Sequence, residues 1–134
     1  MSDQPTCACG QAPKLIFACA GASDTADITY RAARRLTREG AGKMYCLAGI
    51  GGRVQDILNI SAEAEILLAL DGCEADCAKR SLELAGFSNV LHLRVTDLGM
   101  PKGSSPATLE RISQVVAAAK SLLNDKSIVE AFNR

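Results

Sequence analysis

Tryptophan is absent from this 134-residue chain, aromatic residues make up only 4% of it, and His92 is its single imidazole. The core therefore falls to aliphatic side chains, and no credible Ser-His-Asp set can be assembled. An excess of either charge is missing too: 15 Lys+Arg balance 15 Asp+Glu. A dedicated nucleic-acid binder carries a basic surplus or stripe, so no nucleic-acid partner is expected. No apolar run approaches the roughly 18 residues that span a bilayer, so no membrane partner is expected either. Met1-Ser2-Asp3-Gln4-Pro5 has neither the basic nor the apolar region of an export signal, which predicts a cytoplasmic location. What the chain does have is a hydrophobic content of 48%, enough for one ordinary core, and six cysteines.

Three disulfides would suit a small secreted domain without a core of its own. A core-forming chain with no visible export signal fits that poorly. In a reducing compartment the remaining roles for the thiols are inert burial, metal ligation or redox chemistry.

Position along the chain separates them. Residues 1–13 have no periodicity and read as a flexible arm carrying Cys7 and Cys9. A single domain is expected over 14–124, with a polar tail over 125–134. Lys14–Ala18, Met44–Ala48, Glu65–Leu70 and Asn89–Val95 read as buried strands. Ser23 or Asp24 opens a helix whose apolar face is Ile28, Ala32, Ala33 and Leu36. Shorter helices are expected over Arg53–Asn59 and from about Glu74 to Ala85. A long one begins at Ser105-Pro106 and presents Ile112, Val115, Val116, Ala119, Leu122 and Leu123. Strands of continuous apolar residues alternating with helices predict an open three-layer α/β sandwich. Its sheet is four-stranded and mostly parallel, Rossmann-like or flavodoxin-like. Strand orders 2-1-3-4 and 3-2-1-4 both remain open.

Cys19, Cys46 and Cys73 recur at a spacing of 27 residues, about one strand–helix unit. Each should sit near the C-terminal end of a strand, on the rim where open parallel sheets bind ligands. Cys77 follows Cys73 by four residues, one turn away if both are helical. Four thiols could then converge. Helix N-termini favour thiolates, and four thiolates suit a closed tetrahedral zinc site. Two negative charges in excess would be offset by Lys79, Arg80 or the helix ends. The bland alternative is four small buried hydrophobes.

Several segments resemble the DGC-domain family, described as zinc-binding. Its Asp-Gly-Cys motif is Asp71-Gly72-Cys73, continuing through Cys77-Ala78-Lys79 to Leu82-Glu83 and Ala85-Gly86. Cys19-Ala20-Gly21-Ala22-Ser23-Asp24 resembles its first motif and Cys46-Leu47-Ala48-Gly49-Ile50-Gly51-Gly52 its second. Thr96-Asp97-Leu98-Gly99 with Lys102 resembles a fourth. Glu74 stands where many members carry Pro. The resemblance implies zinc on Cys19, Cys46, Cys73 and Cys77 and no particular reaction.

The remaining features carry weaker expectations. Cys7 and Cys9 could cap the site, deliver metal or resolve a disulfide. His92 reads as a hydrogen-bonded strand residue, with a ligand or proton-transfer role as the less favoured alternative. Asp71 reads as a helix cap or, with Gly72, Lys79 and Asp97, as support around the ligands. The glycine-rich turns fit neither dinucleotide nor P-loop patterns. Arg80 is one position too late for a phosphatase loop starting at Cys73. The expected function is a small zinc-binding protein. Redox, sulfur or metal transfer by the same thiols is an alternative, and an iron–sulfur cluster is a second.

Overall fold

Four apolar runs become the four strands of one sheet. The structure, a computed structural model, describes residues 12–132. Strands β1 (Lys14–Ala18), β2 (Lys43–Met44), β3 (Ile66–Asp71) and β4 (Leu91–Arg94) lie in the order β2-β1-β3-β4. Every pairing is parallel. Of the two orders the sequence allowed, this is 2-1-3-4, the flavodoxin-like one.

Helices cover both faces, giving the three layers. On one face Ile16, Ala18, Ile66, Leu68 and Leu70 pack against α1 (Asp24–Arg38) and α5 (Leu109–Asn124). Ile28, Ala32, Ala33 and Leu36 are fully buried there, as the 3.6-residue pattern requires. On the other face Leu15, Phe17, Leu67 and Ala69 meet α2 (Leu47–Gly51), α3 (Gln55–Ala62) and α4 (Cys77–Leu84). All six residues of β3 are buried because both of its faces are covered.

Several boundaries differ from the sequence reading, and four of the differences have a local reason. The strand expected over Met44–Ala48 stops at Met44, because the Cys46 thiol accepts the Gly49 N–H and starts α2. The helix expected from Glu74 starts at Cys77. Asp76 before it is left-handed (φ 54°), and its N–H bonds to the Cys73 carbonyl in a turn. Cys73 and Cys77 are therefore not neighbours one helical turn apart. The long helix starts at Leu109 rather than at Pro106, with Thr108 accepting the Arg111 N–H as its cap. The segment read as a polar tail carries α6 (Lys126–Phe132), and its Val129 packs on the first core. Cys7 and Cys9 lie outside the described residues.

Candidate metal and thiol site

The chain leaves β1 towards one side of the sheet and β3 towards the other. The strand order reverses between them, and in open parallel sheets this switch point forms the binding crevice. Cys19 directly follows β1 and Gly72-Cys73 directly follows β3. The Cys19 N–H continues the ladder to Leu70 O at 3.0 Å. Its sulfur accepts the Gly72 N–H at 3.3 Å. Thr29 Oγ1 lies 3.5 Å from the same sulfur and donates its own proton to Ala26 O. The next residue, Ala20, holds a left-handed conformation (φ 46°), which costs an L-residue roughly 1 kcal/mol or more.

Gly72 is required by this close approach. A Cβ there would lie 2.8 Å from Ala26 N and 2.9 Å from Thr25 C, both backbone atoms at the start of α1. The Asp-Gly-Cys segment thus passes against the helix that follows Cys19, and the Gly72 N–H reaches the thiol.

Cys46 occupies the equivalent place after β2 and caps α2, its sulfur 3.3 Å from Gly49 N. Cys19 and Cys46 line one open cleft of about 480 Å³, shared with Tyr30, Tyr45 and Leu47. Burial pushes the Tyr45 phenol above its ordinary pKa, with the neighbouring Cys46 adding to the effect.

Cys73 stands in the turn before α4, and Cys77 is the first residue of that helix. Lys102 Nζ is 3.6 Å from the Cys73 sulfur. Lys102 reaches it from the loop after β4, and Asp24 holds that loop down. One Asp24 carboxylate accepts the Gly103 N–H at 2.9 Å and the Ser105 N–H at 2.8 Å. These bonds, Gly103 first, hold the Asp24 carboxyl below the usual range.

Asp71, 1% exposed, is the buried carboxylate of the rim. It accepts the Ala78 N–H at 2.7 Å and the Lys79 N–H at 3.1 Å, satisfying the first turn of α4 from outside it. Oδ2, the oxygen that takes the Lys79 N–H, also lies 2.9 Å from His92 Nε2. Of the two roles weighed for Asp71, the bonds from Ala78 and Lys79 are those of the helix cap, and they tie β3 to the start of α4. Asp76 takes two bonds from Arg94, at 2.9 and 2.7 Å, which hold its carboxyl low. Asp97 meets Arg94 at 3.4 Å and is largely exposed, so its link to the rim runs through Arg94 and Asp76.

The geometry thus brings Cys19, Gly72 and Cys73 together at the switch point, with Cys46 across the cleft from Cys19. It does not gather the four sulfurs tightly. Among the described residues, the donor atoms grouped within 4.8 Å of one another are those of Asp71, Asp76 and His92, and the thiols are spread more widely along the rim. Sequence reasoning did not assign chemistry to Asp24, Asp76 or Arg94. Their partners are distant in the chain, and no local pattern reports such pairings. Lys102 was visible only as part of a motif.

Comparison with known proteins adds the lineage. The DGC domain profile matches residues 15–119. The anaerobic and virulence modulator AnvM of Pseudomonas aeruginosa is 35% identical over 88 residues, covering 66% of this chain and 67% of AnvM. No solved structure matches the chain.

Proposed function

This chain belongs to the DGC-domain family, and from that premise we propose that it is a small zinc-binding protein whose metal is held by Cys19, Cys46, Cys73 and Cys77. The observation that carries the reading is the Gly72 N–H on the Cys19 sulfur, which seats the Asp-Gly-Cys segment against the first thiol at the topological switch point. The surroundings suit thiolates. Backbone N–H groups face Cys19 and Cys46, and the Lys102 ammonium faces Cys73. Such donors offset the two negative charges left by four thiolates on one Zn²⁺ and orient the ligands. Zinc in this place would supply a fixed tetrahedral centre, with bonds of about 2.3 Å to sulfur. The sulfurs stand farther apart than that requires, so binding must draw them inward. A binding or regulatory role is favoured over catalysis, since AnvM is named as a modulator.

Elemental analysis of the purified chain beside Cys73→Ser tests the reading. About one zinc per wild-type chain and loss of it in the variant is expected. Less than about a tenth of an equivalent in a natively folded wild type would contradict it.

A second reading rests on the Lys102–Cys73 pair, which suits a nucleophilic thiolate in sulfur or redox transfer. It expects a metal-free thiol at Cys73 that alkylates faster than the others and slows in Lys102→Ala. Equal alkylation rates at all four positions would remove it.

A further inference from the structure

We propose that Asp71, Asp76 and His92 form a second metal site, separate from the thiols, for a divalent cation such as Mn²⁺ or Co²⁺.

One imidazole nitrogen here faces two carboxylates from different segments. His92 Nε2, on β4, is 2.9 Å from Asp71 Oδ2 at the end of β3 and 3.4 Å from Asp76 Oδ1 ahead of α4. All three donor atoms lie within 4.8 Å of one another. Ligands at about 2.1 Å from one ion, at octahedral or tetrahedral angles, stand roughly 3–3.5 Å apart. The two distances from Nε2 already have that size. A neutral imidazole has a single proton to share between the two carboxylates, whereas one ion meets all three donors at once.

The other contacts of these carboxylates come from different groups. The Asp71 oxygens take the Ala78 and Lys79 N–H groups. The Asp76 oxygens take Arg94 Nε and Nη2. These bonds fix both carboxylates in orientation, as hydrogen bonds behind metal ligands do. An ion between the three donors takes the place of the Nε2 proton and shares Asp71 Oδ2 with the Lys79 N–H and Asp76 Oδ1 with Arg94 Nε.

Charge and access agree with this. Asp71, Asp76 and Asp97 bring three negative charges, against Arg94, paired with Asp76 and Asp97, and Lys79 near Asp76, which leaves the set net negative. The Asp76 and His92 side chains are 15% and 18% exposed, which leaves room for water to complete the coordination. Two carboxylates with one imidazole and no sulfur select hard-to-borderline ions, in contrast to the thiol rim.

The test is Mn²⁺ titration of the full chain, followed by the electron paramagnetic resonance signal of free Mn²⁺. We expect one saturable equivalent in wild type and in Cys73→Ser, weakened at least about tenfold in both His92→Gln and Asp76→Asn. Co²⁺ bound there should show no sulfur-to-cobalt charge-transfer band. Absence of saturable Mn²⁺ binding in folded wild type, or equal affinity in His92→Gln and Asp76→Asn, would overturn the proposal. Because the thiol reading is decided by zinc in Cys73→Ser, the two fail independently.

Discussion

At Gly72 one hydrogen decides whether the rim can close. A methyl group there would meet the backbone of Thr25 and Ala26 at under 3 Å, and backbone cannot swing aside as a flexible side chain can. Gly72→Ala is therefore expected to destabilise the fold by about 1–3 kcal/mol, read as a lowered melting temperature. An unchanged melt would show that α1 yields without cost. Asp71 makes the complementary case. Replacing it with Ala leaves the buried Ala78 N–H and the half-buried Lys79 N–H without their acceptor, at about 1–3 kcal/mol for the buried group left unsatisfied. Denaturant unfolding of Asp71→Ala should show a loss of that order, and full stability would contradict the capping role. The Asp-Gly-Cys triplet was visible in the sequence as a motif. Its division of labour was not, because all three partners (Cys19, His92 and Lys102) come from other units of the chain.

Helix starts and loop anchors govern the next scale. Cys46 turned an expected strand end into a helix cap, and a left-handed Asp76 delayed α4 by three residues. Both choices are made by one side chain or one φ angle, which apolar patterning does not register. The amphipathic pattern of α1, by contrast, predicted Ile28, Ala32, Ala33 and Leu36 of its buried face, though not Thr25, Ala26 and Thr29 beside them. The loop carrying Lys102 hangs on Asp24, whose carboxyl is held low by the Gly103 and Ser105 N–H groups. A lowered folded-state pKa contributes stability that is present above the unfolded value. That stability is lost as pH falls through the folded one. Amide protection factors at Gly103 and Ser105, corrected for intrinsic exchange, should therefore be higher at neutral pH and fall below about pH 4 more than those of β3. Exchange that responds equally in loop and strand would argue against this anchor. Glu39 works in the same sense between α1 and α5, brought down to about 2 by Lys120 and then Arg35. Its contribution is full above the ordinary carboxylate range, declines as pH falls below about 4.5, and is gone once pH is below about 2.

For the molecule as a whole, the alternation of apolar strands with helices was enough to predict three layers around a parallel sheet. The strand order was not, since it depends on which side each crossover takes. That order matters most for function, because it puts the ends of β1 and β3 side by side and makes Cys19 and Asp71-Gly72-Cys73 one site. The 27-residue cysteine period is the trace of this architecture in the sequence, one thiol at the end of each of three successive strand units. X-ray absorption at the zinc edge of the purified full chain tests the central claim most directly. Four sulfur neighbours at about 2.3 Å are predicted. A zinc shell made of nitrogen and oxygen, or a folded protein that takes up no zinc, would contradict it.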